Sequence, residues 1–240
     1  MDSLWSKSVG ALKDVASIGI AKINNPMDYI DIAVIKATEH NDIPPKEEHI
    51  LTALAATESI NPSLRNLRDV VEKRLEGTEN WMVTVKTLAL IHRLMMNGRN
   101  SIFGEIEEMQ PYSSLAKKMA RTFNFNYRSS PLDVDCSRWV RRYSSYLSQR
   151  LYCNISFEYD ILSKKNTRRT KKLKVEHIFG GFPSLQLVLC CLLDCFPREN
   201  RVGMNSLIQH TLVLLVKEAQ IIYGIINYYI HRLADADILK

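Results

Sequence analysis

Apolar residues recur every three to four positions along most of the 240-residue chain, and few residues interrupt this pattern. Glycine (9) and proline (8) are both scarce, and a shortage of helix-breaking residues favours helices. Asn97-Gly98 is the one Asn-Gly or Asp-Gly dipeptide, and it closes an apolar run with helical spacing. We interpret it as a helix C-cap rather than a hairpin turn. The sequence therefore predicts an all-α protein.

Ten segments, of which 112–120 is broken, predict about nine helices that account for nearly the whole sequence. The segments with helical spacing are residues 4–23, 29–40, 46–57, 61–77, 81–98, 101–109, 112–120, 135–163, 183–195 and 204–233. Residues 121–131 have no helical period and are predicted to form a loop. Thr78 is the predicted N-cap of segment 81–98, which is apolar around most of its circumference and should be central. Because helices on short connections pack antiparallel, we expect residues 1–240 to form one domain, a solenoid of stacked antiparallel helices.

Several protein classes are excluded by the sequence. The five cysteines are odd in number and contain no CxxC pair, so neither a disulfide framework nor a zinc site is expected. Free cysteines of this kind fit a reducing, cytoplasmic compartment. Nucleophile-elbow, phosphate-loop, dinucleotide-binding and zinc-protease motifs are all missing. We therefore expect no enzyme, no metal and no cofactor, and we predict that His92 is a hydrogen-bonded core residue.

The most apolar segment, residues 208–230, is long enough to span a bilayer. It carries Lys217 and Glu218 at its centre, and each charge there costs about 2.5–3.5 kcal/mol on membrane-insertion scales. We interpret the segment as a buried helix of a soluble protein.

The net charge of +6 is concentrated in one segment, residues 164–174, which contains seven basic residues and no acid. These residues are Lys164, Lys165, Arg168, Arg169, Lys171, Lys172 and Lys174. We predict a flexible loop at about residues 164–175, which either is simply solvated or makes an auxiliary contact with an anionic membrane leaflet. Nucleic-acid binding is the other use of such a run. No aromatic residues interleave with the basic ones, so we expect no nucleic-acid partner.

Residues 36–49, KATEHNDIPPKEEH, predict a corner between two helices. Lys36 lies near the end of the first helix, and His40 follows four residues later on the same face. Lys46 starts the second helix, and His49 lies three residues further on. The corner thus brings two lysines and up to two histidines to a helix N-terminus, which has free N–H groups and a partial positive charge suited to phosphate.

The same residues also allow a purely structural interpretation. A lysine near a helix C-terminus complements the helix dipole, and so do Glu47 and Glu48 in a first turn. The corner alone therefore leaves both interpretations open.

Residues 36–49 and four further blocks, in order along the chain, resemble the ANTH domain, the membrane-binding region of monomeric clathrin assembly proteins. Residues 36–49 resemble the family's signature, and GALKDVASIGIAKIN (10–24) is similar to the segment that precedes it in plant members. The other blocks are WMVTVKTLALIHRLMMNG (81–98), SSPLDVDCSRWVRRYSSYLSQRL (129–151) and VKEAQIIYGIIN (216–227).

The resemblance implies a superhelical solenoid that binds phosphatidylinositol 4,5-bisphosphate and serves clathrin coat assembly in endocytosis. It places the lipid site at Lys36, Lys46 and His49, with His40 as a further candidate. The family commonly has a basic residue directly before the histidine, whereas this chain has Glu48. Replacing a basic residue by an acid at an anionic surface weakens binding more than about tenfold. A degenerate solenoid that serves as a protein-interaction scaffold with weak lipid binding is therefore the alternative.

The resemblance also implies partners and a location. The partners are clathrin, adaptor proteins and SNARE cargo. The expected location is peripheral, on plasma-membrane clathrin-coated pits and vesicles and on the Golgi apparatus. The family's coat-binding motifs lie in a long tail, and we expect no such clathrin-binding tail in this chain. The amphipathic segment with Leu4, Trp5 and Val9 either inserts at the membrane interface or packs on the solenoid.

Overall fold

The computed structural model describes residues 9–19, 28–58, 63–99, 118–119 and 130–235. Within these ranges every regular element is a helix, which confirms the all-α prediction. In chain order the helices are α1 (9–19), α2 (Asp28–Ala37), α3 (Glu47–Ala56), α4 (Ser63–Glu76), α5 (Trp81–Asn97), α6 (Pro131–Phe157), α7 (Thr167–Lys171, after a 3-10 turn at Lys164–Asn166), α8 (Val175–Asp194), α9 (Asn200–Gly203) and α10 (Ser206–Asp235).

Some predicted elements lie outside the described residues. These are the helix at 101–109, the helix at 112–120 apart from residues 118–119, most of the loop at 121–131, and the ends of the N-terminal helix beyond 9–19. Residues 61–62, at the start of the predicted helix 61–77, also lie outside.

Helix α5 is the centre of the fold. It contacts α2, α3, α4, α6 and α10, and every residue from Trp81 to His92 is buried. This burial confirms the central position predicted from its apolar circumference. Gly98 forms the C-cap, and its backbone N–H donates to the carbonyl of Leu94, again as predicted.

The predicted N-cap of α5 was wrong by two residues. The cap is Asn80, whose side-chain oxygen accepts from the backbone N–H groups of Met82 and Val83. Thr78 lies too early to reach those groups, and its hydroxyl accepts from the N–H of Asn80 instead. Asparagine directly before the first helical residue is among the strongest N-caps.

Helix α6 runs from Pro131 to Phe157, not from Asp135 to Ser163 as predicted. Ser130 and Asp133 form a capping box, in which each side chain accepts from the other residue's backbone N–H. Pro131 fits the first position because its missing N–H has no partner there anyway. The helix ends because Glu158 adopts a left-handed conformation with φ of 60°.

Helix α8 begins at Val175, although Pro183 was the predicted start. Pro183 lies inside the helix, where it removes one backbone hydrogen bond to the residue four positions earlier. Both Pro183 and that residue, Phe179, lie on the exposed side of the helix. Solvent can therefore satisfy the freed carbonyl, and the helix continues through the proline.

The basic segment is folded rather than a loop, which corrects the prediction for residues 164–175. Thr170 is buried, and its carbonyl accepts from the hydroxyl of Tyr229 on α10. The carbonyl of Lys171 accepts from Tyr228 at 2.8 Å, and Arg232 donates to the carbonyl of Leu173 at 2.5 Å. The anchors come from α10, about sixty positions away, so the local sequence gave no sign of them.

A buried polar cluster joins α5, α6 and α10. The carboxylate of Glu218 is fully buried and accepts from His92 Nε2 at 2.6 Å and from Arg150 Nε at 2.7 Å. The hydroxyl of Tyr146 donates to it as well, and Tyr143 bonds the other ring nitrogen of His92 at 2.8 Å. The prediction that His92 is a hydrogen-bonded core residue is thus confirmed.

Helices α8 and α10 have the length and apolar composition that a membrane crossing requires. In α10, however, Glu218 is at the centre and forms its ion pair with Arg150 of α6 inside the fold. One face of α10 is buried, while Val213 and Tyr223 are 53% and 68% exposed. Our prediction of a buried helix therefore holds for one face only.

Close packing between α6 and α8 explains why position 181 is a glycine. A Cβ atom on Gly181 would lie 2.4 Å from Cζ of Phe157, which is far inside van der Waals contact. Gly180, next to it, has no atom within 4 Å of such a Cβ. The two adjacent glycines therefore provide a test position and its control for the packing between α6 and α8.

We predict that Gly181→Ala destabilises the protein by about 1–3 kcal/mol through overpacking. The control Gly180→Ala should be neutral or stabilise by up to about 1 kcal/mol, because alanine is the better helix former. Thermal and urea unfolding monitored by circular dichroism measure both. Equal effects at the two positions would show that α6 and α8 do not pack this closely.

The polar cluster makes a prediction about acid stability. Burial alone would raise the pKa of Glu218, but the charge of Arg150 and the bonds from His92 and Tyr146 lower it to about 2. A lowered pKa in the folded state adds stability above the ordinary value of 4.5, and that stability is lost as pH falls from there toward 2. Glu218→Gln should therefore cost about 3–5 kcal/mol at pH 7, because Arg150 stays buried and loses the closer of its two carboxylate partners, while Asp160 remains at 3.4 Å.

The same variant should show a shallower loss of stability between pH 4.5 and 2 than the unmodified chain. Urea unfolding across this pH range measures the difference. Glu176→Gln, an exposed position on α8, makes the same charge change and serves as the control. Parallel pH profiles for Glu218→Gln and the unmodified chain would contradict the prediction.

Candidate functional site

The corner between α2 and α3 (residues 38–46, the α2–α3 corner) is held by side chains from other helices. Arg74 of α4 donates to the carbonyl of Thr38 at 2.7 Å and to its hydroxyl at 2.9 Å. Ser206, the first residue of α10, donates to the carbonyl of Asp42 at 2.9 Å. The corner is therefore attached to two helices that are distant in sequence.

Lys86 of α5 supports the middle of the corner. Its ammonium group donates to the carbonyl of Glu39 at 3.0 Å and to the side-chain oxygen of Asn41 at 2.7 Å. Burial lowers the pKa of Lys86 to about 8, while the charges of Glu39, Asp14 and Asp42 act in the opposite direction. At neutral pH the ammonium form therefore predominates and makes both bonds.

A third attachment comes from α1. The carboxylate of Asp14 accepts from the backbone N–H of His40 at 2.9 Å and lies 3.0 Å from Nδ1 of the same residue. It also accepts from Nη2 of Arg74 at 2.7 Å. His40 was a candidate headgroup ligand in the sequence. That role stays a prediction, and Nδ1 of the ring is already occupied by Asp14.

The structure places the three main predicted site residues at the helix ends that flank the α2–α3 corner. Lys36 lies in the last turn of α2, Lys46 is the N-cap residue of α3, and His49 lies in the first turn. Burial lowers the pKa of His49, the charge of Glu48 acts in the opposite direction, and the positive charges of Lys36 and Lys46 lower the pKa further. The side chain of Lys46 has no oxygen with which to cap the first turn of α3, so that turn's N–H groups lack this common partner.

Two acids, Glu47 and Glu48, lie in the first turn of α3, and their negative charges are compensated to different extents. Glu47 forms a two-point ion pair with Arg93 of α5, with oxygen–nitrogen distances of 2.5 and 3.2 Å. Glu48 is 67% exposed, and its Oε1 lies 3.4 Å from Nε2 of His49. The charge of Glu47 is thus largely compensated, whereas Glu48 places negative charge directly beside the candidate site.

The auxiliary basic residues belong to the folded segment around α7. Lys165 donates to the carbonyl of Gly98 at 2.9 Å, and the guanidinium of Arg169 lies 4.2 Å above the ring of Tyr159. Both side chains are thereby attached to the protein. The remaining cations with a described side chain, all exposed, are Arg168, Lys171, Lys172 and Lys174.

Sequence reasoning missed the residues that brace the corner: Asp14, Arg74, Lys86 and Ser206. One sign was available, because Lys86 is the one charged residue in the first half of α5, and a buried lysine needs partners. Asp14 gave no comparable sign, since an acid on an amphipathic helix is ordinarily solvated. Of the N-terminal residues proposed for membrane insertion, Val9 is 42% exposed on α1, and Leu4 and Trp5 lie outside the described residues.

The model of the ANTH domain matches residues 29–236. The chain belongs to the ANTH domain family. Two relatives from Arabidopsis thaliana, named "Putative clathrin assembly protein At5g57200" and "Putative clathrin assembly protein At4g25940", are 38% and 37% identical to this ANTH domain protein over 242 and 250 residues. The resemblance to plant clathrin assembly proteins is thereby confirmed.

The alignments cover 96% of this chain but 40% and 41% of those relatives. Among solved structures, the ENTH domain from epsin-2 in complex with phosphatidylinositol 4,5-bisphosphate matches with a TM-score of 0.54 at 18% identity. That match covers 85% of this chain and 79% of the epsin-2 chain. At this identity the likeness concerns the fold, and it confirms the predicted stacked-helix architecture.

Proposed function

We propose that this ANTH domain is the membrane-binding module of a clathrin adaptor and binds the headgroup of phosphatidylinositol 4,5-bisphosphate at the α2–α3 corner. The carrying observation is the placement of Lys36 in the last turn of α2 and of Lys46 and His49 at the start of α3, with both lysines close enough to lower the pKa of His49. The lysines supply charge, and the first-turn N–H groups supply donors for phosphate oxygens. The bonds from Arg74 and Lys86 hold the corner in place, which lowers the ordering cost of binding.

The comparisons support the proposal from two sides. The relatives are named as clathrin assembly proteins, and the epsin-2 domain of the same fold was solved with the proposed lipid. On this basis the protein acts in clathrin-mediated endocytosis, with clathrin and adaptor proteins as partners, at coated pits and vesicles. SNARE cargo and the Golgi apparatus remain predictions.

Vesicle sedimentation tests the site. The chain should bind phosphatidylcholine vesicles that contain phosphatidylinositol 4,5-bisphosphate more tightly than vesicles of equal charge made with phosphatidylserine. Lys36→Glu combined with Lys46→Glu should abolish this preference, because each basic residue near an anionic surface contributes about 1 kcal/mol and reversal makes the site repulsive.

Lys171→Glu combined with Lys172→Glu is the matched control, since it makes the same charge change on exposed residues of the basic segment. It should weaken binding to both kinds of vesicle and leave the preference intact. Loss of the preference in the control, with retention in the corner variant, would move the site to the basic segment.

A scaffold with weak lipid binding is the second candidate function, and Glu48 is the observation that favours it. Its exposed carboxylate lies within 3.4 Å of His49 and competes with a phosphate group for the same cations. Under this alternative the solenoid persists as a protein-interaction surface while the corner no longer holds membranes.

Glu48→Lys distinguishes the two functions. If the corner receives the headgroup, the substitution should tighten binding to vesicles with phosphatidylinositol 4,5-bisphosphate by more than about tenfold, because it removes a repulsive charge and adds an attractive one. Glu176→Lys makes the same change on the exposed start of α8 and should have a smaller effect that does not depend on the phosphoinositide. Equal effects of the two variants would count against headgroup binding at the corner.

A further inference from the structure

A cleft of about 420 Å³ lies between helices α6 and α8. It is lined by two arginines and a serine from α6 and by two cysteines and an aspartate from α8: Arg141, Arg142, Ser145, Cys190, Cys191 and Asp194. Hydrogen bonds join the two helices on both sides of these residues. Trp139 Nε1 donates to the carbonyl of Cys195 at 2.5 Å, and the hydroxyl oxygens of Ser156 and Ser184 lie 2.8 Å apart. The cleft is therefore a fixed part of the fold, and it contains no residue of the α2–α3 corner.

Cys190 is the one exposed cysteine of the five. Cys136, Cys153 and Cys195 are buried, and Cys191 is partly buried. Burial raises the pKa of Cys136 and of Cys153 to about 12, so at neutral pH these two side chains form almost no thiolate. The thiolate is the nucleophilic form of cysteine. A reagent that arrives from solvent therefore reacts first at Cys190.

The geometry of α8 denies Cys190 a disulfide partner in its own helix. A disulfide needs Cβ atoms about 3.5–4.5 Å apart. Adjacent helical residues such as Cys190 and Cys191 do not face each other, and even residues four positions apart have Cβ atoms about 5–6 Å apart. Cys195 is buried as well, and its thiol donates to the carbonyl of Cys191 at 3.2 Å. Oxidation of Cys190 to a disulfide therefore requires a sulfur atom from another molecule.

The surroundings of Cys190 carry an excess of positive charge. Asp194 is the one acid among the residues that line the cleft. Its Oδ1 accepts from Nη2 of Arg198 at 2.8 Å, and its Oδ2 lies 3.8 Å from Nε of Arg142. Three arginines, with Arg141 included, thus lie around a single carboxylate. Because a guanidinium group binds a carboxylate through two parallel hydrogen bonds, the cleft favours a solute that has both sulfur and carboxylates.

We propose that the cleft is a thiol-modification site, where Cys190 forms a mixed disulfide with a small thiol that bears carboxylates, such as glutathione. The Cys190 thiolate attacks one sulfur of glutathione disulfide, and the S–S bond of that molecule breaks as the new S–S bond forms. The departing glutathione leaves as a thiolate and takes up a proton, so Cys190 is oxidised and the departing glutathione is reduced. Arg141 and Arg142 hold the carboxylates of the incoming disulfide. This site is independent of the proposed lipid binding.

The test is incubation of the 240-residue chain with glutathione disulfide, followed by mass spectrometry of the intact protein and of its peptides. Hydroxyethyl disulfide, which is uncharged, is the reference probe. We expect one glutathionyl group per chain, attached to Cys190 and released by dithiothreitol. Added salt should slow the reaction with glutathione disulfide and leave the reaction with hydroxyethyl disulfide unchanged, because salt screens exposed charges.

Variants separate the cleft from overall charge. Arg141→Gln combined with Arg142→Gln should slow the reaction with glutathione disulfide about fivefold or more, as expected for the loss of two partly exposed ion pairs. It should not slow the reaction with hydroxyethyl disulfide. Lys171→Gln combined with Lys172→Gln makes the same charge change on exposed residues of the basic segment and should leave both rates unchanged. Cys190→Ser should abolish the adduct.

Three results would overturn the proposal. The first is an adduct on Cys191 or on a buried cysteine in place of Cys190. The second is an equal salt dependence for the charged and the uncharged disulfide. The third is equal slowing by the arginine and lysine variants, which would show that net charge acts and not the cleft. If the arginine variant does not fold, the salt dependence of the unmodified chain, with Cys190→Ser as its control, decides the question.

Discussion

Burial of α5 is the constraint on which the rest of the structure depends. A helix that is buried from Trp81 to His92 has to supply a partner for every polar group along it, because an unpaired buried charge or donor is costly. Lys86 meets this requirement by bonding the α2–α3 corner, and His92 meets it by joining Glu218 and Tyr143 in the core. One packing requirement thus generates both the buried polar cluster and the support beneath the candidate site.

The candidate site itself is a balance between close opposite charges. Lys36, Lys46 and the first turn of α3 attract an anion, while Glu48 repels it and Glu47 is occupied by Arg93. Because the corner is exposed rather than enclosed, solvent and salt screen these interactions, and small changes in charge shift the affinity. Under the proposed function, the charge at position 48 therefore sets how tightly the corner holds a phosphoinositide.

The spacing of residues along the sequence predicted those parts of the structure that local interactions determine. The three- to four-residue period predicted the helices, and the separation of Lys36, Lys46 and His49 around two prolines predicted that they meet. The same spacing could not predict contacts between residues that are distant in the sequence. The basic segment folds because Tyr228, Tyr229 and Arg232 bond its backbone, and His40 turns to Asp14, twenty-six positions earlier. The capping box at Ser130 and the helical position of Pro183 were missed because each proline was taken as a boundary.

The most direct test of headgroup binding at the corner is the titration of His49 itself. Nuclear magnetic resonance follows the imidazole of each histidine with pH, in the absence and presence of inositol 1,4,5-trisphosphate. In the free chain, burial and the two lysines lower the pKa of His49. A phosphate group bound between those lysines would offset their charge and favour the protonated ring. We expect the probe to raise the pKa of His49. An unaltered His49 titration at saturating probe would contradict headgroup binding at this corner.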